Sequence, residues 1–329
     1  MKIMAYEVRA DERQTLAARA AARGAELTMT EAALDDTTAA LAKGADGVTM
    51  LGQSRMDTGV IRKLAAAGVK VISTRTVGTD HIELAAAKGE GLHVFHARYA
   101  PDGVAEFTVM LMLMALRNYK QALYRANAND YSLAGLCGRE LRSLTVGVVG
   151  TGAIGAKVIE ILSGFGCRIL AYNRHQALPP KLAALATVCP LETLYAESDV
   201  ITLHLPLAEG TWHMIDRTTL PKMKDGVVLI NCARGSLMCI EDVIHGIETQ
   251  KIGALGLDVI EDEAGIYHQD RRSDILINRN MAYIRQFPNV ILTQHMAFYT
   301  AEAVRSMALC GIDNIVDFLE NGCTENEVN

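Results

Sequence analysis

The segment Leu144-Thr-Val-Gly-Val-Val-Gly150-Thr-Gly152-Ala-Ile-Gly155 constrains the fold more than any other part of the chain. A β-branched apolar run leads into three glycines spaced G-x-G-x-x-G, and Lys157-Val-Ile-Glu-Ile-Leu162 continues with helical character. A strand, a tight turn and a helix fit that order. In a dinucleotide cradle of this kind Gly150 makes the turn, Gly152 lets a pyrophosphate approach the backbone, and Gly155 lets the helix pack against the strand. Ala153 and Ile154 then open the helix, where unpaired N–H groups and the positive dipole end favour phosphate.

The rest of the chain repeats the strand-then-helix theme. Strands are expected at Ile3 to Val8, Gly47 to Leu51, Val69 to Ser73 and Leu92 to Phe95, with helices over Asp11 to Arg23, Asp57 to Ala67 and Ile82 to Lys88. Pro101 can open a long helix over Val104 to Lys120, rich in Met and Leu, which crosses into a second domain. Beyond the glycine turn, strands are expected at Arg168 to Tyr172, Val200 to His204, Val227 to Asn231, Leu255 to Val259 and Val290 to Thr293, and helices at Thr219 to Met223 and Glu241 to Thr249. A polar excursion between Glu263 and Phe287, with Tyr267-His-Gln-Asp-Arg-Arg-Ser-Asp274 at its centre, interrupts the alternation, and an amphipathic helix from Ala301 to Leu319 returns to the first domain. The pattern is α/β, with two doubly wound parallel sheets. Residues 1–99 and 298–329 are expected to form one domain, with 100–297 inserted as the other.

Composition narrows the function classes. The 329 residues are half apolar and carry a formal charge of −6, so there is no basic field to draw nucleic acid. Seven scattered cysteines, with no C-x-x-C pair and no His/Cys cluster at metal spacing, read as reduced thiols of a cytoplasmic protein and leave no metal site. Glu7 and Arg9 arrive before a signal-peptide apolar region could form. The longest apolar run, Val109 to Leu116, is far short of the ~20 residues that span a bilayer, so no membrane role is expected. A Met-rich helix of this kind is core or subunit interface, and a homodimer is the expected assembly.

Ligands of doubly wound sheets bind at the carboxyl ends of the strands. Three such ends offer one group each. Asn231-Cys-Ala-Arg234 supplies a guanidinium that can grip a carboxylate with two parallel hydrogen bonds, Asp258-Val-Ile-Glu261-Asp-Glu263 supplies carboxylates, and Thr293-Gln-His295 supplies an imidazole. Singly, each has a plainer reading: a solvated arginine, a solvated acidic face, a satisfied polar histidine. Three in succession on one nucleotide-binding sheet form a set that can bind an anionic 2-oxo acid and move a proton as hydride moves.

On these residues the chain resembles the D-2-hydroxyacid dehydrogenases. The resemblance runs over essentially the whole length, through Gly150-Thr-Gly152-Ala-Ile-Gly155, His204-Leu-Pro206, Ile230-Asn-Cys-Ala-Arg234-Gly, Leu257-Asp258-Val-Ile-Glu-Asp-Glu263 and His295-Met-Ala-Phe298. Thr74-Arg-Thr-Val77-Gly78-Thr-Asp80 and Tyr99-Ala-Pro101-Asp-Gly-Val104 match the family's substrate loop and interdomain crossing. Ala134-Gly-Leu and the excursion after Glu263 are most similar to the D-lactate, phenyllactate and vancomycin-resistance-type branch. The resemblance implies a flavodoxin-like substrate domain and a Rossmann dinucleotide-binding domain. The implied reaction is NAD(P)H-dependent, reversible reduction of a 2-oxo acid to the (R)-2-hydroxy acid.

Carried onto this sequence, Arg234 and the N–H groups of Val77 and Gly78 would hold the substrate carboxylate. His295 would give and take the proton, and Glu263 would orient the imidazole and favour its charged form. Tyr99 and Phe298 would shape the side-chain pocket. Val104, His204, Pro206, Cys232, Ala233 and Asp258 would lie along the cofactor, together with Arg234 and His295. NAD-preferring members usually place an aspartate after the strand Arg168 to Tyr172, whereas here Asn173-Arg174 stands, so NADP is accommodated as well as NAD. Arg98, in place of a smaller residue of relatives, leaves the side chain of the substrate open between lactate, branched-chain and aromatic types, with the amino terminus favouring aromatic. Co-repressors that sense NAD(H) share this fold and this triad, and they stand as the alternative from another class.

Overall fold

The computed structural model describes all residues of the chain except Gln176 and Cys323. Two compact units form: Met1–Ala100 with Tyr299–Asn329, and Pro101–Phe298. Ala100 thus goes with the first unit and Phe298 with the second, each one residue across the expected boundary.

In the first unit five strands, β1 (Lys2–Ala5), β2 (Glu26–Met29), β3 (Gly47–Met50), β4 (Val71–Thr74) and β5 (His93–Phe95), pair in parallel in the order β2-β1-β3-β4-β5. The two-residue period of β1 decides which face each side chain serves. Ile3 and Ala5 pack with Leu16 of α1 (Ala10–Ala22) and with Ala308, Ile312 and Ile315 of the C-terminal helix, Ala301–Asn321. Met4 and Tyr6 join the opposite layer, with Ile61 and Leu64 of α2 (Thr58–Ala66) and Ala87 of α3 (Leu84–Gly89). The Asp57 and Thr300 side chains cap α2 and the C-terminal helix by accepting from the Val60 and Ala303 N–H groups.

The second unit opens with α4 (Asp102–Leu116) and α5 (Tyr119–Asn127). Seven strands follow: β6 (Thr145–Val149), β7 (Arg168–Tyr172), β8 (Thr187–Val188), β9 (Val200–Leu203), β10 (Val227–Asn231), β11 (Ile252–Leu257) and β12 (Val290–Leu292). They lie in the order β12-β11-β10-β9-β6-β7-β8, all parallel. Between them run α6 (Ala153–Ser163), α7 (Pro180–Ala183), α8 (Leu191–Glu197), α9 (Ile240–Glu248) and α10 (Arg279–Ile284). Chain order reverses between β6 and β9, so the ligand crevice of this sheet opens at their carboxyl ends. Ile201, Leu203, Leu229 and Leu255 fill the layer beneath it, and each such side chain stabilises the fold by about 1.5–3 kcal/mol on leaving water.

Several local expectations are corrected. The long helix over Val104 to Lys120 is two helices, because Asn118 adopts φ 50° and breaks the hydrogen-bond ladder after Leu116. The edge strands β2 and β8 are only four and two residues long and were not expected from the sequence. Strand β1 stops at Ala5, and Glu7 turns the chain with φ 53°. Thr219 to Met223 holds only a 3₁₀ turn at Leu220–Lys222, and the excursion after Glu263 contains α10. Among the described residues no helix is long and apolar enough to cross a membrane.

Candidate active site

The glycine turn shows which of its residues the unit itself demands. Gly150 has φ 97°, donates to the Tyr172 carbonyl at 2.8 Å, and leaves no room for a Cβ against the His204 carbonyl. A Cβ on Gly155 would overlap the Gly150 carbonyl, so close helix-to-strand packing excludes any side chain there. Gly152 differs: it caps α6 with an ordinary φ of −68°, and nothing lies within 4 Å of where a Cβ would be. Packing does not explain Gly152, which leaves open space at the α6 N-terminus.

Asn173 follows β7 beside this turn. Its amide nitrogen donates to Thr151 Oγ1 at 2.8 Å and to the Ala177 carbonyl at 2.7 Å, so the side chain ties its own loop to the glycine turn. Arg174 is exposed. Across the crevice, His204 follows β9, with its N–H on the Val149 carbonyl at 2.8 Å and its Nε2 at 3.0 Å from Thr202 Oγ1. Burial pushes its imidazole down to about 4 from an ordinary 6.5, so the ring is neutral in the folded protein. The unfolded chain therefore binds the extra proton between about pH 6.5 and 4, and stability falls as pH drops through that window, by up to about 3 kcal/mol. Urea unfolding at neutral and acid pH checks this, and an equal acid loss in a His204→Gln protein would remove His204 as its cause.

Three neighbours hold His295 and its loop. His295 Nδ1 lies 2.5 Å from Glu263 Oε1, and because a carboxylate only accepts, Nδ1 carries the proton and Nε2 is left for a reacting group. Glu263 is itself held, its Oε2 accepting from the Ile260 N–H at 2.9 Å. His295 sits at φ 53°, a left-handed conformation that a non-glycine residue keeps only with support. The support is Asp258, which is fully buried. One of its oxygens accepts from Thr293 Oγ1 at 2.6 Å and the Met296 N–H at 2.9 Å, the other from the Ala297 N–H at 2.8 Å. Its carbonyl takes the His295 N–H at 2.8 Å. Asp258, expected as a carboxylate near the cofactor, thus also shapes the His295 loop. His268 of the excursion adds a ring nitrogen 3.1 Å from the His295 carbonyl.

Arg234 follows β10 in a turn that Asn231 shapes, with Asn231 Nδ2 donating to the Arg234 carbonyl at 2.8 Å and Asn231 Oδ1 accepting from the Ala233 N–H at 3.0 Å. Its guanidinium donates to the Ala233 carbonyl at 2.7 Å. Cys232 beneath it is buried, which pushes its thiol up to about 12 and leaves it no nucleophilic role. Val104 is buried in α4, and the Pro206 carbonyl accepts from Thr211 Oγ1 at 2.7 Å.

A family profile described as D-isomer specific 2-hydroxyacid dehydrogenase, NAD binding domain, matches residues 109–297. The chain belongs to the D-isomer specific 2-hydroxyacid dehydrogenases. It is 39% identical to an aromatic 2-oxoacid reductase of Clostridium sporogenes, over 99% of both chains. It is 36% identical to a D-lactate dehydrogenase of Lactobacillus delbrueckii subsp. bulgaricus, over 99% of this chain and 98% of that one. A solved structure of D-2-hydroxyisocaproate dehydrogenase superposes with a TM-score of 0.87 at 34% identity, covering 100% of this chain and 99% of the other.

For a dehydrogenase of this family the second unit is the NAD-binding domain, and it brings Glu263, His295 and Phe298 together, with ring centroids of His295 and Phe298 6.5 Å apart. Val77, Gly78 and Tyr99 belong to the first unit. There the Val77 carbonyl lies 3.0 Å from His96 Nδ1, the Gly78 carbonyl accepts from Thr76 Oγ1 at 2.6 Å, and fully buried Arg75 anchors the loop on Glu12 at 3.0 Å. Among the described residues neither the Val77 nor the Gly78 N–H donates a hydrogen bond, which suits a pair of donors for an anion. Sequence reasoning missed one pairing: Glu261, read as part of a solvated face, lies 2.6 Å from His213. The two are 48 positions apart, and no local pattern connects them.

Proposed function

We propose that this dehydrogenase reduces a 2-oxo acid reversibly to the (R)-2-hydroxy acid, with Arg234, Glu263 and His295 carrying the substrate chemistry. The observation that carries the reading is the 2.5 Å His295–Glu263 pair, with Arg234, Glu263 and His295 following the three neighbouring strands β10, β11 and β12 of an NAD-binding sheet. When bound, the reduced nicotinamide supplies hydride to the substrate carbonyl carbon. His295 gives the Nε2 proton to the carbonyl oxygen, and takes it back in oxidation. Glu263 keeps Nδ1 protonated and fixes the ring plane, while Arg234 holds the carboxylate through its planar fork. Val77 and Gly78 are assigned as further carboxylate donors, and Tyr99 and Phe298 as walls for the side chain. Along the cofactor we place the glycine turn, Val104, His204, Pro206, Cys232 and Ala233.

We assign both NADH and NADPH as usable donors. Asn173 brings no negative charge to repel a ribose 2′-phosphate, and Arg174 is exposed beside it. An aromatic 2-oxo acid is the favoured substrate, in keeping with the Clostridium relative. Initial rates with pyruvate, 2-oxoisocaproate and phenylpyruvate, each with NADH and NADPH, test the set in one experiment. Turnover of phenylpyruvate with kcat/KM for the two nucleotides within about tenfold is expected, strong discrimination for NADH would remove the NADP assignment, and no turnover of any acid would favour the sensing role of a co-repressor.

The active form is proposed to be a homodimer in the cytoplasm. Met110, Leu123, Tyr124 and Leu133 leave an exposed apolar face on α4, α5 and the loop that follows, and the described cysteines are free thiols. Equilibrium sedimentation at the mass of one chain would remove the dimer.

A further inference from the structure

The NAD-binding unit holds a second imidazole–carboxylate pair that the chemistry above does not use. His213 Nε2 lies 2.6 Å from Glu261 Oε1, and both side chains are sheltered, with 21% and 16% exposed. Glu261 is fixed on its other side, its Oε2 accepting from the Ile240 N–H at 3.1 Å at the start of α9, and its carbonyl accepting from Asn278 Nδ2 at 3.0 Å. His213 has φ 49°, a conformation that costs a non-glycine residue about 1 kcal/mol or more and needs something to hold it. Its N–H donates to the Ser236 carbonyl at 2.8 Å, and Ile215 pairs with Met238 in a parallel bridge. Trp212 stacks on the imidazole, with centroids 3.6 Å apart and planes at 18°.

The position of this pair in the chain gives it a purpose. The loop after β9 begins at His204, whose N–H donates to the Val149 carbonyl at 2.8 Å and whose carbonyl leaves no room for a Cβ on Gly150, and it borders the crevice where strand order reverses. Thr211 Oγ1 closes the loop on itself through the Pro206 and Ala208 carbonyls, at 2.7 and 3.2 Å. One end is therefore fixed by the glycine turn and the other by His213 on Glu261. We propose that His213 is a positioning residue for the dinucleotide: through Glu261 it holds the loop after β9 as one wall of the crevice, and so sets NAD affinity without entering the proton transfer. The inference rests on the NAD-binding reading of this unit.

Two substitutions separate the hydrogen bond from ring packing. His213→Phe keeps an aromatic ring for Trp212 but no donor for Glu261, whereas His213→Gln keeps an N–H of similar reach. NADH dissociation constants from nucleotide fluorescence, and kcat and KM for the 2-oxo acid at saturating NADH, are measured for both and for the unaltered enzyme. Expected for His213→Phe is an NADH dissociation constant raised about tenfold, with kcat and the 2-oxo acid KM within about twofold; His213→Gln restores tight binding. An unchanged NADH constant in His213→Phe overturns the proposal, as does a His213→Gln protein as weak as the Phe variant, and in both cases the assignment of His295 and Arg234 stands. Failure of the unaltered protein to bind NADH would instead overturn the NAD-binding reading.

Discussion

In a His295→Asn protein, kcat for 2-oxo acid reduction falls by about 10²–10⁴-fold, the range a positioned general acid supplies, while NADH affinity stays near that of the unaltered enzyme. Asparagine is the informative replacement because His295 occupies φ 53°, a region that Asn tolerates better than most residues. Asp258 can then go on holding Thr293, Met296 and Ala297, so the loop keeps its course. The loss is confined to the proton, since an amide cannot donate one at neutral pH as imidazolium does. Stopped-flow reduction with NADH in excess reads it directly, and turnover close to normal would dismiss His295 as the acid.

The second large effect is at Arg234. An Arg234→Gln protein loses two charge-assisted hydrogen bonds to the substrate carboxylate, roughly 3–4 kcal/mol in all, and kcat/KM for the 2-oxo acid drops by about 10²–10³-fold. Most of the loss is expected in KM, because the carboxylate is bound in ground state and transition state alike. Asn231 holds the Arg234 carbonyl and the Ala233 N–H, contacts that do not involve the guanidinium, so the turn should survive the change. A variant that binds NADH poorly yet keeps the 2-oxo acid KM would place Arg234 on the cofactor instead.

The placement of Arg234, Glu263 and His295 at one edge was legible because topology does most of it: each follows a strand of one parallel sheet, and parallel strands deliver their carboxyl ends to a common edge. The glycine turn was legible for a related reason, since strand, turn and helix are contiguous. Asp258 was legible as a buried carboxylate near the site but not in its use, which depends on Thr293 to Ala297, more than thirty positions on. The break at Asn118 escaped because helix propensity is a weak prior and one left-handed residue overrides it. Strands β2 and β8 escaped because four and two residues are too short for a two-residue period to stand out.

The sequence by itself determined the two parallel sheets, the glycine turn between β6 and α6, and the arrival of Arg234, Glu263 and His295 after successive strands of one sheet, since these follow from periodicity, glycine spacing and strand order. Tertiary structure alone decided that Gly152 is the glycine packing does not require, that Asp258 supports the left-handed His295 loop, and that Glu261 holds His213. Each of those depends on which atoms meet across long stretches of chain, and hydrogen-bond partners and free space over a Cβ are set by three-dimensional packing, not by neighbours in sequence.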